Sequence, residues 1–210
     1  RVFADRAEDL GDPDFFDIDI DALIDDDYLA RRAAEVNPKA ISVLDSVNPG
    51  LESPNTTHYS IVDQWGNAVS NTYTINWDYG SGVVVGGAGF LLNNEMDDFS
   101  AKPGTPNIYG VVGSVANEIQ PGKRMLSSMS PTIVLKGGEV EMVLRTPGGS
   151  TIFTTVFQVI TNILDFGMSV EEAIGIARFN HQLVPPDLIT YSGFTIDQHL
   201  PKVTVGDLSE

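Results

Sequence analysis

The sequence predicts a layered α+β domain on two observations: two β-hairpins are written into its middle, and a pair of helices follows the second of them. From Thr57 the residues alternate with period two as far as Asp63, turn at Gln64-Trp65-Gly66-Asn67, and continue as a β-rich run over 68–75. The second hairpin joins 132–136 to 139–144 through Gly137-Gly138, a pair able to take the positive φ values of a tight two-residue turn. The run 151–166 is rich in β-branched residues but too long for an ordinary strand. Ile152, Val156, Val159, Ile160 and Ile163 form a helical stripe there, ended by Gly167. Ser169-Val170-Glu171-Glu172 then reads as a capping box, the serine oxygen taking an orphan N–H while Glu172 reaches back. Upstream, 21–36 reads as one helix with Leu23, Tyr28 and Ala33 or Ala34 inward. Pro38, Pro49, Gly50, Pro54 and Asn55 then mark a long loop, where the main boundary is expected.

Composition narrows the function. The 210 residues carry a formal charge of −17, which excludes a nucleic-acid grip built on phosphate neutralisation. At 42% hydrophobic residues the chain can bury a core. Zero cysteine excludes disulfides and thiolate chemistry, and three scattered histidines do not make a histidine-built metal site. The acidic surplus is concentrated early, from Asp12 to Asp27, interleaved with Phe15, Phe16, Ile18, Ile20, Leu23 and Ile24. A solvated face is the simpler reading, because the spacing of a calcium loop is absent. The chain opens Arg1-Val2-Phe3-Ala4-Asp5, without a start methionine or a signal segment, and reads as internal to a longer precursor.

The common catalytic signatures are missing. The stretch 80–87 is glycine-rich but fits neither a dinucleotide nor a Walker loop, and a tight loop between strands is its ordinary meaning. There is no G-x-S-x-G elbow and no H-E-x-x-H helix. Four polar clusters remain: Asn55-Thr56-Thr57, Asn93-Asn94-Glu95-Met96-Asp97-Asp98, Leu126-Ser127-Ser128-Met129-Ser130-Pro131 and Thr146-Pro147-Gly148-Gly149-Ser150. Singly, each is a turn or a cap.

Together and in this order, Thr-Thr-His-Tyr-Ser, Leu-Leu-Asn-Asn-Glu-Met-Asp-Asp-Phe-Ser, Leu-Ser-Ser-Met-Ser-Pro-Thr-Ile and Pro-Gly-Gly-Ser resemble the small subunit of γ-glutamyltranspeptidases. Ala4-Asp5-Arg6 and Leu10-Gly11-Asp12-Pro13-Asp14-Phe15 resemble the end of that family's large subunit, so residues 1–55 belong upstream of the processing point and 56–210 form an incomplete small subunit. The resemblance implies the αββα sandwich of the N-terminal-nucleophile hydrolases, a location outside the cytoplasm in the parent protein, and self-cleavage at Asn55-Thr56. It also implies a threonyl acyl-enzyme: Thr56 attacks the γ-carbonyl of glutathione or another γ-glutamyl donor, and water, an amino acid or a peptide accepts the acyl group. No cofactor or metal is implied. A freed α-amino group, with an ordinary pKa of about 7.7 to 8.0, can serve as the base on the same residue.

Carried over by resemblance, Thr74 supports the nucleophile and Asn76 binds substrate, the two sharing one strand face. Glu95 and Asp98 hold the substrate α-ammonium, Ser127 and Ser128 its α-carboxylate, and Tyr109 is a lid residue. Gly148 and Gly149 supply the oxyanion N–H groups. The family's carboxylate-binding arginine, from deep in the large subunit, has no match in residues 1–55, and the remainder of that subunit is an expected partner. Trp77 and Asp78 depart from the expected pattern beside the pocket. Two other readings are a cephalosporin or glutaryl acylase, against which the Glu95–Asp98 pair argues, and a non-catalytic domain that kept the fold.

Overall fold

The computed structural model describes residues 2–36, 56–182, 188–192 and 203–204. Helix α1 (Val2–Asp9) opens the chain, and Phe3 is its buried residue. It packs on Tyr109 and Val111, with the Phe3 ring 5.0 Å from that of Phe153. The expected helix over 21–36 is instead two, α2 (Ile20–Leu23) and α3 (Asp26–Ala34). The break has a local cause. Asp19 and Asp25 each turn a carboxylate onto the N–H three residues ahead, at 2.9 Å in both cases, so each aspartate starts a helix rather than continuing one. Neither helix buries a residue, and Ala33 and Ala34 are exposed. Leu23 and Tyr28 are half-buried as expected, and so is Arg32, which pairs with Asp5 of α1 and lies over the Tyr28 ring.

The first hairpin forms as expected, β1 (Thr57–Val62) against β2 (Ala68–Tyr73), with Thr57 opposite Tyr73 and Val62 opposite Ala68. Its faces are unlike. One carries His58, Ser60, Ser70 and Thr72, and there His58 bonds Thr72 at 3.1 Å and Ser60 at 2.7 Å. The other carries Tyr59, Ile61, Val69 and Tyr73, all exposed. The second hairpin, β3 (Thr132–Lys136) and β4 (Glu139–Leu144), has the expected bounds, with a register irregularity between Val134 and Leu135. The Ser70 hydroxyl lies 3.5 Å from the Leu144 carbonyl, which brings the two hairpins together at the end of β4.

Helix α4 (Ile152–Leu164) buries Ile152 and Val156, and the rest of its stripe is half-buried. Gly167 follows with φ +66°. Helix α5 (Val170–Gly175) starts on the expected capping box: the Ser169 hydroxyl accepts from Glu172 N–H at 3.2 Å, and the Glu172 carboxylate accepts from Ser169 N–H at 2.8 Å. Strands β5 (Arg178–Asn180), β6 (Leu188–Ser192) and β7 (Val203–Thr204) form a three-stranded antiparallel sheet. The glycine-rich 80–87 stretch is a series of turns closed by the Val84–Leu91 bridge. Gly80 is needed there, since a Cβ would meet the Leu92 carbonyl oxygen at 2.1 Å.

The acidic head is not uniformly solvated. Asp12 is buried, and its carboxylate accepts from the Arg124 N–H at 2.8 Å, Nε at 3.1 Å and Nη2 at 2.5 Å. Those bonds hold its pKa far below the ordinary carboxylate range. With Phe3, they fasten residues 2–36 to the strand-bearing part of the chain. No helix among the described residues is long and apolar enough to cross a membrane.

Candidate active site

Thr56 precedes β1 and Thr74 follows β2, so the hairpin's pairing carries both to the same end of the sheet. The Thr56 hydroxyl donates to the Thr74 hydroxyl at 3.5 Å. Thr74 Oγ1 also accepts the Asn76 N–H at 2.9 Å, which fixes its rotamer. Asn76 is not on the strand face with Thr74, as the sequence suggests. It has left the strand with φ +75°, the one non-glycine among the described residues with positive φ, a conformation that asparagine tolerates better than most residues. Its amide is buried and accepts from the Tyr109 phenol.

Thr56, Thr74, Asn76, Asp98, Tyr109, Ser127, Ser128 and Gly149 line one cleft. Two further expected residues, Gly148 and Glu95, are not among its lining residues. Gly148 opens the 3-10 turn Gly149–Thr151 with φ +138°, and a Cβ there would meet Thr151 Oγ1 at 2.6 Å. Only glycine suits that corner. Glu95 begins the 3-10 turn Glu95–Asp98 and is buried.

The electrostatics of the cleft are set by Asp98. Burial, then the neighbouring Glu95, push its carboxyl up to about 7; Arg6 acts the other way, and Asp97 adds to the rise. Asp97 itself turns aside to accept the Ile108 N–H at 2.8 Å. Burial also raises Glu95. The Tyr109 phenol goes up to about 12, first through burial and then through Asp98. It therefore stays a neutral hydrogen-bond donor. Its backbone carbonyl accepts from Gln182, whose own carbonyl accepts from the buried Ser150 hydroxyl at 2.8 Å, so the tyrosine turn is tied to the end of the glycine turn.

Arg6 also lines this cleft and was given no role by the sequence. Its Nη2 donates to Ser128 Oγ at 3.0 Å. The one available signal was weak: Arg6 lies three residues after Phe3, hence on the buried face of α1. Ser127 is more open, its hydroxyl accepting the Met129 N–H at 3.1 Å.

A threonine hydroxyl held by a second hydroxyl, beside a positive-φ glycine turn and a titratable carboxyl, is a site fit for acyl transfer. The fold is that of the N-terminal-nucleophile hydrolases. Cephalosporin acylase from Bacillus halodurans matches over 85% of this chain and 30% of its own, with TM-score 0.68 and 26% identity. Within that class the chain belongs to the γ-glutamyltranspeptidase family, whose model matches residues 1–210. The glutathione hydrolase proenzyme of Pseudomonas aeruginosa is 64% identical over 194 residues, which are 92% of this chain and 35% of the relative. The γ-glutamyltranspeptidase of Pseudomonas nitroreducens, in complex with L-DON, matches with TM-score 0.63 and 67% identity over 64% of this chain and 70% of that one. The chain thus spans about a third of the length of the curated relative.

Proposed function

We propose that this chain carries the catalytic threonine of an enzyme that transfers or hydrolyses γ-glutamyl groups, and that residues 1–55 precede a self-cleavage point while 56–210 follow it. The observation that carries the reading is the Thr56–Thr74 hydroxyl contact in a cleft that also holds Asp98 and Ser128. In the uncut chain the Thr56 nitrogen is an amide and cannot act as a base. Attack of the Thr56 hydroxyl on the Asn55 carbonyl, with Thr74 orienting it, shifts the acyl group to oxygen. Hydrolysis of that ester frees the α-amino group. Asn55 lies outside the described residues.

In the mature site the freed amine takes the proton as the Thr56 oxygen adds to the γ-carbonyl of glutathione or a related donor. The N–H groups of Gly148 and Gly149 receive the oxyanion, an interaction for which one lost donor typically costs about 2.7 to 4 kcal/mol of barrier. The C–N bond breaks, the amine leaves with the proton, and the ester is resolved by water, an amino acid or a peptide. Asp98 and Glu95 hold the donor's α-ammonium, Ser127 and Ser128 its α-carboxylate, and Asn76 and Tyr109 close the pocket beside them. The remainder of the large subunit completes the pocket, and the parent works outside the cytoplasm.

The test is the full-length protein and its Thr56→Ala variant. The wild type is expected to yield a small chain whose N-terminal residue is Thr56. The variant should stay in one piece and be inactive. A mature chain beginning elsewhere would falsify the assignment. The acylase reading is favoured by the fold likeness to cephalosporin acylase. It is separated by substrate, since a γ-glutamyl donor offers the cation that Asp98 is suited to hold and a glutaryl amide does not.

A further inference from the structure

We propose that Arg6 is a positioning residue of the donor subsite: its guanidinium fixes Ser128 and balances the charge of Asp98, so one cation of helix α1 readies both halves of the site. The inference rests on the reading of the cleft as a γ-glutamyl pocket. It begins with placement. Phe3 anchors α1 against Tyr109 and Val111, and Arg6, three residues on, is on the same helix face and enters the cleft.

A guanidinium has donors and no acceptor, so in the 3.0 Å contact Ser128 Oγ is necessarily the acceptor. That leaves the serine's own proton for a second acceptor. An anion is a strong acceptor for it, and the α-carboxylate of the donor is the one the proposed reaction supplies. Arg6 therefore sets the direction in which Ser128 donates.

The second half concerns charge. Asp98 is faced by Glu95 and Asp97 on its own turn, by the Tyr109 phenol from the 107–110 turn, and by Arg6 from α1. The two carboxyls and the burial favour the neutral acid; Arg6 favours the carboxylate. A substrate ammonium is held by a carboxylate far better than by a neutral acid. Arg6 thereby keeps the ammonium half competent at neutral pH without touching the ammonium.

The experiment uses full-length self-cleaved enzyme with Arg6→Gln, Arg6→Met and Arg6→Lys. Each is assayed from pH 5.5 to 9.5 on a γ-glutamyl anilide and on a glutaryl anilide, which keeps the carboxylate and lacks the amino group. Arg6→Gln and Arg6→Met are expected to move the acid limb of the γ-glutamyl kcat/KM profile up by at least one pH unit. At pH 7 KM should rise tenfold or more, with kcat changing less. The glutaryl profile should show a pH-independent rise in KM and no moved limb. Arg6→Lys should restore the limb but only part of KM, because it keeps the charge and loses the fork.

An acid limb left at its wild-type position in the charge-removing variants overturns the proposal. So does an equal, pH-independent loss on both substrates, which is what a merely structural role gives. If Arg6→Met does not fold, Arg6→Gln carries the same comparison. The wild-type ratio of the two anilides reports separately on the γ-glutamyl reading, which falls if glutaryl is processed equally well.

Discussion

At Asp98, burial and the repulsion of Glu95 and Asp97 act in one direction and Arg6 in the other, and the carboxyl titrates at about 7. Binding of an α-ammonium should therefore be lost as pH falls through about 7. Asp98→Ala should lower apparent affinity for a γ-glutamyl anilide about ten- to a hundredfold, the equivalent of ~1.5 to 3 kcal/mol, and leave a glutaryl anilide nearly unchanged. Steady-state kinetics on both substrates, with a thermal melt to check integrity, decide this; equal losses would retire the ammonium role. The same carboxyl marks stability. Its folded value lies above the ordinary 3.8, so its contribution is full below about pH 4 and is lost as pH rises through about 7. Asp98→Asn should flatten that slope in melts recorded across this window. Asp98 was singled out in the sequence only through the resemblance of Leu-Leu-Asn-Asn-Glu-Met-Asp-Asp-Phe-Ser to the family's motif, since a short run of carboxylates by itself reads as a turn or a cap. Arg6 was not, because an arginine in an acidic, amphipathic helix has the pattern of a surface ion pair.

At the scale of elements, what was legible is what local chemistry decides. The two hairpins and the Ser169 capping box follow from alternation, paired glycines and a serine three residues before a glutamate. Ser169→Ala should cost about 1 kcal/mol, measured as a lower denaturant midpoint at unchanged slope, since it strips the helix of the oxygen that takes the Glu172 N–H. A midpoint within error of wild type would mean that tertiary contacts alone hold α5. The split of 21–36 into two helices was misread because apolar spacing was weighed above Asp25, whose side chain competes for the backbone. Asn76 was misread for a related reason. Period two places it on a strand face, but the strand ends at Tyr73 and the chain turns through a positive φ that alternation does not reveal. The three-stranded sheet of β5, β6 and β7 carried no turn signal strong enough to announce it.

Across the whole molecule, the first hairpin leaves apolar residues on an outward face. Tyr59, Ile61, Val69 and Tyr73 share that face and are 45%, 54%, 47% and 57% exposed, while the opposite face carries His58, Ser70 and Thr72, all partly buried, beside the exposed Ser60 and Val62. A two-stranded hairpin with an apolar face left to solvent is marginal in water, and such a face calls for a covering layer. The chain spans about a third of the curated relative's length, and the sandwich of this class places helices over its sheets. We therefore expect the sign of one substitution to depend on context. Ile61→Asp should raise the solubility of the 210-residue chain made alone and reduce its binding of a hydrophobic dye, because it breaks an exposed apolar face. In the full-length protein the same change should lower the melting temperature and the yield of self-cleaved enzyme, because it buries an unpaired carboxylate. Hydrogen exchange supplies an independent readout: the amides of β1 should exchange fast in the short chain and slowly in the full-length protein. Equal protection of β1 in the two proteins, together with a harmless Ile61→Asp in the longer one, would mean that this face is solvent-exposed by design and that the covering layer does not exist.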